Sequence, residues 1–518
     1  MTDNRAVTDN VDAPQYPDLS GLIKSYDVRG IVGEALTDPV ARAIGAAFAD
    51  AVVIPDGARE VAVGHDMRDS SPGLAAAIMG GLQDRGIDTI DIGMCSTDGL
   101  YHASGVLSLP GVMITASHNP AEYNGMKMCR ALARAVGEST GLSDVRSLAS
   151  RYLGDGIPVA QQRGSGRAHD MLVEYSEFLR GLVDLRGIRP LKVVVDAANA
   201  MGGYTVPAVL GTAAGLKALP LDIVPLYFEL DGTFPNHEAN PLDPANLVDL
   251  QAAVVAHGAD IGLAFDGDAD RCFAVDQTGA VVAASAITAL VGLRETAREL
   301  AGGHQPTVIH NLISSRAVRE LLTDAGATPV RAKVGHSNIK AAMAAHNAVF
   351  GGEHSAHFYF RDFFYADTGM LAAMHVLAAL GESDATLSEL LAGYTPYAAS
   401  GEINSRVDSV VDALARVRES HADATTQTDE FDGLTVTHWD SFVPNDAAVP
   451  KDATGPKDAT GPKDAAGPKD AAAPGGERWW FNVRASNTEP LLRLNVEAAT
   501  AQTMERVRDA VLATIRGN

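Results

Sequence analysis

Three aspartates at alternate positions form a compact acidic cluster in the sequence. Asp266, Asp268 and Asp270 lie in the stretch AFDGDADR, directly after an apolar run. Carboxylates this close repel one another unless a cation neutralises them, and oxygen ligands favour Mg²⁺, Mn²⁺ or Ca²⁺ over zinc. An EF-hand calcium loop is excluded, because its sixth and twelfth positions hold Arg271 and Gln277 instead of Gly and Glu. The spacing predicts a metal site completed by water or a substrate phosphate, and an acidic turn is the alternative.

A hydroxyl group follows a second apolar run. The stretch GVMITASHNPAEYNG (111–125) ends its apolar part at Ser117. Pro120 keeps Asn119 out of the helical region, so we expect an elbow at the end of a strand, where open α/β sheets bind ligands. A serine hydroxyl becomes a good nucleophile only when a base or a metal activates it, and Lys127 could move a proton or clamp a charge. An ordinary Asx or Ser/Thr turn is the alternative for SHNP alone.

A third stretch, GGEHSAHFYF, carries alternating polar side chains after a pair of glycines. On an extended segment, alternate side chains point to the same side. A carboxylate and a hydroxyl aimed at one place suit the hydroxyl groups of a sugar. The candidates are Glu353, Ser355 and His357. The alternative is a polar sheet edge.

A fourth stretch, RASNTEP, offers an arginine and small polar side chains shortly before the chain ends. Together with the amides of a turn, these groups suit a phosphate. The candidates are Arg484, Ser486, Asn487 and Thr488. The alternative is an ordinary turn before the strand LLRLNVEA.

The elements that must position these residues recur along the chain. Short β-branched runs, such as EVAVGHD and LKVVVDAANAMGG, alternate with Ala- and Leu-rich helical stretches, which predicts βαβ units with mostly parallel sheets. In the last block, GEINSRV, LTVTHWDSFV and RWWFNVRAS alternate like antiparallel strands before an amphipathic helix. The predicted domains are 20–165, 166–275, 276–392 and 393–518, preceded by a mobile lead-in at 1–19.

A repeat interrupts the last block. From Pro450 the chain reads PKDATG, PKDATG, PKDAAG and PKDAAA, a period that matches neither a helix nor a strand. Proline at this frequency breaks helices and sheet ladders, and each unit carries one Lys and one Asp. We therefore predict that 444–476 is a disordered insertion between two strands.

Composition excludes several classes of protein. The formal net charge of −24 argues against a nucleic-acid surface, although a local basic pocket could still bind an anionic substrate. Cys95, Cys129 and Cys272 are widely spaced and indicate neither a disulfide framework nor a zinc site. The sequence has no signal peptide and no apolar run of membrane-spanning length, so we expect a cytoplasmic protein with no membrane partner.

Taken together, TASHNP, DGDADR, GEHSAH and RASNTEP, in this order, resemble the α-D-phosphohexomutase family, most closely its bacterial phosphomannomutase/phosphoglucomutase members. The resemblance covers nearly all of 20–518 except the PKDATG repeat. It implies an α/β fold with three related α/β domains with mixed sheets and a C-terminal α+β (TBP-like) domain around a central cleft. The chain has Ala356 where the family commonly has Gly and Ala485 where Pro is common, and we expect the same backbone at both positions.

The resemblance also implies roles for individual residues. A phosphoserine maps to Ser117, and one Mg²⁺ ion would be held by a phosphoserine oxygen and by Asp266, Asp268 and Asp270. SYDVRG nominates Arg29, and KVGHSNIK nominates Lys333 and His336. The sugar-recognition loop maps to Glu353 and Ser355, and the phosphate-binding loop to Arg484, Ser486, Asn487 and Thr488.

The function implied is a two-step phosphoryl transfer between the 1-phosphate and the 6-phosphate of mannose or glucose, with hexose 1,6-bisphosphate as intermediate and activator. Arg29, Arg271 and the metal would neutralise charge, while Lys127 and His336 are candidates for moving the hydroxyl proton. The alternatives are a metal-dependent sugar-phosphate phosphatase and a non-catalytic sugar-phosphate sensor. The expected partners are small-molecule sugar phosphates, bound by a monomer or weak dimer.

Overall fold

Four sheets organise the chain, and we number the domains built on them I to IV. The computed structural model describes residues 16–24, 26–421, 426–439, 477–485 and 491–517. The predicted insertion at 444–476 and residues 1–15 of the predicted lead-in lie outside these residues. In the described part of the chain, no helix is both long enough and apolar enough to cross a membrane.

Domain I is a mixed seven-stranded sheet packed against helices. Its strands are β1 (Val28–Ile31), β2 (Glu60–His65), β3 (Asp88–Met94), β4 (Gly111–Ile114), β5 (Tyr123–Arg130), β6 (Arg134–Ala135) and β7 (Gly166–Ala168), and its helices are α1 (Asp38–Phe48), α2 (Ser71–Asp84), α3 (Thr97–Leu107) and α4 (Leu142–Asp155). The order is β1-β5-β4-β2-β3-β7, with β6 on β5. Because β7 pairs with β3, the boundary predicted near 165 falls inside this sheet, and we propose to move it beyond Ala168.

Domain II is a four-stranded sheet whose central strands are apolar. Its strands are β8 (Leu191–Asp196), β9 (Leu221–Leu226), β10 (Ile261–Phe265) and β11 (Cys272–Asp276), and its helices are α5 (Leu172–Leu182), α6 (Gly202–Val209) and α7 (Val248–His257). The order is β11-β10-β8-β9, with only β11 antiparallel to its neighbour. All residues of β10 are buried, as expected for a strand covered on both faces.

Domain III repeats this plan with a five-stranded mixed sheet. Its strands are β12 (Thr307–Asn311), β13 (Thr328–Ala332), β14 (Phe350–Gly352), β15 (Phe358–Phe360) and β16 (Ala366–Asp367), and its helices are α8 (Ala284–Ala301), α9 (Arg316–Asp324), α10 (His336–His346), α11 (Gly369–Gly381) and α12 (Leu387–Leu391). The order is β13-β12-β14-β15-β16, with β15 and β16 antiparallel. Its buried apolar residues are continuous with those of domain II.

Domain IV is antiparallel and has a core of its own. Its strands are β17 (Ala398–Arg406), β18 (Gln427–Asp429), β19 (Leu434–His438), β20 (Trp479–Ala485) and β21 (Leu491–Ala498), and its helices are α13 (Val410–Ser420) and α14 (Ala501–Arg516). The order is β17-β21-β20-β19-β18. Along α14, Met504, Val507, Val511 and Ile515 recur every three or four residues and form its buried face. The predicted three α/β domains and final α+β domain are confirmed.

Candidate active site

The first three sequence motifs occupy equivalent places in domains I to III. The Ser117 loop joins β4 to β5, the aspartate loop joins β10 to β11, and the Glu353 loop joins β14 to β15, each pair being antiparallel. Of the RASNTEP stretch, Arg484 and Ala485 end β20, and 486–490 lie outside the described residues. In domains I to III the strand before the loop also has a parallel neighbour. The loops therefore leave the edge where α/β sheets bind ligands.

Ser117 lies in a tightly held loop. The sequence predicted Ser117 at the end of a strand. β4 ends at Ile114, so the serine lies three residues beyond the strand. It is 3% exposed, takes a φ of 51° and donates its N–H to Thr115 Oγ1 at 2.9 Å. A Cβ at Gly267 would lie 2.1 Å from the Ser117 carbonyl oxygen. Glycine between the first two aspartates therefore permits the two loops to touch.

The Ser117 hydroxyl points at the aspartate loop. Its Oγ donates to Asp266 Oδ2 at 3.0 Å and lies 3.1 Å from His118 Nδ1. Arg271, whose side chain is 2% exposed, donates to Asp266 Oδ2 at 2.9 Å and contacts His118 Nδ1 at 2.7 Å. Burial and the nearby charge of Arg271 lower the pKa of His118 well below its usual range. The neutral imidazole can therefore accept a hydrogen bond from Arg271.

The three carboxylates fit a hard divalent cation. Asp266, Asp268 and Asp270 are buried, and one ligand atom of each lies within 4.8 Å of the others. The Oδ1 atoms of Asp268 and Asp270 are buried without a hydrogen-bond partner, which is rare for a carboxylate. Two such oxygens in an all-oxygen donor set suit Mg²⁺.

Lys127 supplies a positive charge beside the same carboxylates. Its Nζ donates to Asp268 Oδ2 at 2.6 Å and to Asp270 Oδ2 at 2.5 Å. Burial alone would lower the pKa of Lys127, but these two carboxylates raise it. The ammonium group is therefore charged and already bonded to two of the predicted metal ligands.

Arg29 approaches the Ser117 loop from the N-terminal strand. Its guanidinium donates to the carbonyl oxygen of Ala116 at 2.8 Å and to Oδ1 of Asn119. The Nε atom pairs with Asp27 at 2.8 Å. The predicted arginine is thus a neighbour of Ser117.

The GEHSAH stretch is a tight turn, so the predicted extended geometry is wrong. The Glu353 N–H donates to the His357 carbonyl at 3.0 Å, and the Ala356 N–H donates to the Glu353 carbonyl at 3.1 Å. The chain must reverse here because β14 and β15 are antiparallel neighbours. Ala356 takes a φ of 62°, which costs a non-glycine residue about 1–2 kcal/mol. The Ala-for-Gly departure therefore places a strained residue in this loop.

The three polar side chains of this turn point to different partners. Glu353 is buried and accepts hydrogen bonds from Tyr359 Oη at 2.6 Å and from the Gly335 N–H at 3.1 Å. Ser355 Oγ lies 3.1 Å from His357 Nδ1, while the other ring nitrogen lies 3.8 Å from Asp270 Oδ1. A backbone bridge between Arg271 and His357 joins this turn to the aspartate loop.

The two residues nominated by KVGHSNIK have different surroundings. His336 begins α10, and its ring meets Tyr26 edge-to-face at 5.1 Å. Burial lowers the pKa of His336 to about 4, so the ring is neutral near pH 7. Lys333 is exposed, and its Nζ lies 5.6 Å from the centre of the Phe431 ring in domain IV.

Arg484 belongs to a charged cluster on the sheet of domain IV. Glu402 accepts hydrogen bonds from Arg484 at 2.9 Å and Arg493 at 3.0 Å, and His354 Nε2 lies 3.6 Å away. Burial alone would raise the pKa of Glu402, but His354 and the two arginines lower it to about 2. The other predicted phosphate ligands lie outside the described residues; they are Ser486, Asn487 and Thr488.

A cleft of about 950 Å³ connects these groups. Its walls include His118 of domain I, Asp243 of domain II, Ser355 of domain III and Arg484 of domain IV. The predicted central cleft is therefore present among the described residues, with the Ser117 loop and Arg484 both facing it.

Sequence reasoning missed several neighbours of these groups. Thr97 Oγ1 donates to Asp268 Oδ2 at 2.5 Å from 171 positions away, and Arg68 binds the Ser117 carbonyl from 49 positions away. Glu402 and Arg493 lie within ordinary-looking strands. None of them belongs to a local motif. They reach the site only because the fold brings distant parts of the chain together, which the spacing of residues in the sequence does not reveal.

Comparison with known proteins agrees with this arrangement. Models of the phosphoglucomutase/phosphomannomutase family match alpha/beta/alpha domain I at 21–142, domain II at 173–279, domain III at 283–397 and the C-terminal domain at 402–514. Each matched segment contains most or all of one of the four sheets.

Relatives of similar length extend the match over the whole chain. A phosphomannomutase of Salmonella typhimurium is 38% identical, covering 92% of this chain and 94% of that protein, and the phosphohexose mutases protein of Xanthomonas campestris pv. campestris is 36% identical, covering 95% and 99%. The crystal structure of a phosphoglucomutase/phosphomannomutase family protein from Burkholderia thailandensis superimposes with a TM-score of 0.77 at 28% identity, covering 95% and 97%. This chain therefore belongs to the phosphoglucomutase/phosphomannomutase family and is a phosphohexose mutase.

Proposed function

We propose that the protein interconverts the 1-phosphate and the 6-phosphate of mannose, glucose or both, through phospho-Ser117 and a hexose 1,6-bisphosphate. The observation that carries the proposal is a single cleft with two ends suited to anions, one at the Ser117 loop and one at Arg484. A substrate that carries one phosphate and exchanges another needs both ends. The names of the relatives support a hexose phosphate as the substrate.

The chemistry consists of two phosphoryl transfers. In the first, the bond between phosphorus and the Ser117 oxygen breaks, and a bond forms from phosphorus to a free hydroxyl of the hexose monophosphate. The hydroxyl loses its proton to a base, and the serine oxygen is reprotonated. After the bisphosphate turns over in the cleft, Ser117 takes the other phosphoryl group by the reverse steps.

Charge at the transferring group is the main demand of this reaction. Asp266, Asp268 and Asp270 would hold Mg²⁺, which when bound would neutralise negative charge on the phosphoryl oxygens. Arg271 lies against Asp266 beside the Ser117 hydroxyl and would bind a phosphoryl oxygen there. Arg29, bonded to the Ala116 carbonyl, adds a second positive charge next to the same loop.

Of the two proposed proton carriers, His336 is the one with a free lone pair near pH 7. Burial lowers its pKa to about 4, so the ring is neutral but is a weak base. Lys127 is bonded to two carboxylates and serves better as a charge clamp. His357, 3.8 Å from Asp270, would bind the substrate beside the transferring phosphoryl group.

The remaining residues would hold the sugar in either orientation. Glu353 and Ser355 would bind hydroxyls common to both orientations, with Lys333 at the rim. Arg484, together with Ser486, Asn487 and Thr488, would bind the phosphate that does not react. Glu402 holds Arg484 and Arg493 in place by accepting a hydrogen bond from each.

An assay of both products tests the proposal. Mannose or glucose 1-phosphate should become the 6-phosphate without release of inorganic phosphate, and a trace of hexose 1,6-bisphosphate should remove any lag by phosphorylating Ser117. If inorganic phosphate accumulates in step with substrate loss, and the bisphosphate has no effect, the protein is a phosphatase. If neither product forms while substrate still binds, the protein is a sensor.

A further inference from the structure

One guanidinium group binds much of the backbone of the Ser117 loop. Arg68 Nη1 donates to the carbonyl oxygens of Pro120 at 2.8 Å and Tyr123 at 2.9 Å. Its Nη2 donates to the carbonyl oxygens of Ser117 at 3.0 Å and Asn119 at 2.7 Å. The Arg68 side chain is 2% exposed, so the guanidinium itself is shielded from water.

Residues of two domains hold this guanidinium in place. The Arg68 N–H donates to Asp66 Oδ1 at 3.0 Å, and the Nε atom lies 3.4 Å from Asp66 Oδ2. From domain II, the Phe234 ring lies 5.0 Å from the guanidinium carbon, and a Cβ at Gly232 would lie 2.9 Å from the Arg68 Cα. The side chain has little room to adopt another position.

We propose that Arg68 is a positioning residue for phosphoryl transfer, which fixes the Ser117 hydroxyl through the loop backbone. The loop bends through a left-handed residue at Ser117, and these four carbonyl oxygens accept hydrogen bonds from Arg68. Without the guanidinium the buried Ser117 carbonyl would lose its hydrogen bond, and the loop would shift to satisfy it. This shift would move the Ser117 hydroxyl from its place 3.0 Å from Asp266.

Arg68 acts without touching the substrate. Each terminal nitrogen of the guanidinium donates to two backbone carbonyls, which leaves no N–H of either group for an anion. Its loss should therefore change the rate of transfer rather than substrate binding. This inference rests on the proposed role of Ser117 as the phosphorylated residue.

The test compares Arg68→Gln, made together with Asp66→Asn so that no buried carboxylate is left unpaired, with the wild-type protein. We expect kcat to fall about 100-fold, the cost of misplacing a reacting group by about 1 Å, with the KM for hexose 1-phosphate unchanged within about two-fold. The rate at which hexose 1,6-bisphosphate phosphorylates Ser117, followed by intact mass, should fall by the same factor. Arg68→Lys keeps one donor group and should recover part of the rate.

Arg180→Gln is the matched control, because Arg180, on α5 of domain II, also donates to three backbone carbonyls, those of Val209, Gly211 and Lys217. This variant should lower Tm but leave kcat unchanged. The inference is overturned if the variant with Arg68→Gln and Asp66→Asn keeps the wild-type kcat, raises KM instead, or matches Arg180→Gln in both kcat and Tm. A failure of the proposed function would appear differently, as wild-type protein that does not convert the sugar phosphate or accept phosphate at Ser117.

Discussion

The two ends of the cleft are built in opposite ways. At the Ser117 end, the hydroxyl, three aspartates and Arg271 are all nearly inaccessible to solvent, and each contacts a residue outside its own loop. At the Arg484 end, the side chains of Arg484 and Arg493 are 12% and 32% exposed and share one carboxylate, Glu402. The Ser117 end is therefore closed to solvent and held by contacts between several elements, whereas the Arg484 end is a charged surface that solvent partly reaches.

The difference follows from what each end must do. Phosphoryl transfer gains most from charges that are fixed before reaction and shielded from water, since their effect is stronger at low dielectric. The residues that bind the non-reacting phosphate must instead release it and bind the other phosphate when the bisphosphate reorients in the cleft. Domain IV suits this task because its core is separate from that of domains II and III.

The largest effect is expected at the buried end. Ser117→Ala should abolish mutase activity, with a loss of roughly 10⁴-fold or more, as seen when an attacking nucleophile is removed. Intact mass and peptide mapping should find phosphate on Ser117 in the wild-type protein and none in the variant. Phosphate on another residue, or a variant with substantial turnover, would contradict the assignment.

The second effect concerns the carboxylates. Asp268→Asn should lower kcat by about 10²- to 10³-fold, the usual cost of losing one electrostatic group at a transferring charge. A chelator should remove the wild-type activity and Mg²⁺ should restore it, while the variant should need more Mg²⁺ for half-maximal rate. Asp184→Asn, at an exposed ion pair with Arg186, is the control and should behave as wild type. Activity that survives a chelator would count against a metal at this site.

The sequence could predict the motifs at both ends of the cleft, but not the contacts with distant residues that hold those motifs in place. Ser117 and the aspartates are local patterns after apolar strands, and the alternation of those strands with helices predicts three α/β domains. Arg68 and Thr97 reach the same site through contacts 49 and 171 positions apart, which no local spacing encodes. The turn at Glu353 was missed because alternation favours an extended segment, whereas the pairing of β14 with β15 requires a reversal.

At the exposed end the expected loss is smaller and of another kind. Arg484→Ala should raise KM and lower kcat together, each by roughly ten-fold, because hydrogen bonds to a charged group contribute about 1.5–3 kcal/mol and this grip also orients the sugar. Steady-state kinetics with hexose 1-phosphate measure both parameters. Arg416→Ala, an arginine on α13 that binds carbonyls of α14, is a control that should change neither. A fall in kcat alone would show that Arg484 acts at the transferring phosphate, like the residues of the buried end.

The smallest effect is expected for the repeat. The described residues on either side of the segment are neighbours, because His438 of β19 pairs in register with Trp479 of β20. For the disordered insertion that the sequence predicts, each halving of loop length changes the closure free energy by only about 0.6 kcal/mol, so a short Gly/Ser link in place of 450–473 should leave kcat and Tm nearly unchanged. A variant with the same residues in shuffled order is the matched control for length and composition. If the deletion lowers kcat and the shuffled variant does not, the length of the segment matters to the exposed end. If the shuffled variant loses activity as well, the order of the residues matters, so the repeat contacts domain IV or the substrate, and the contrast between the two ends of the cleft would have to be revised.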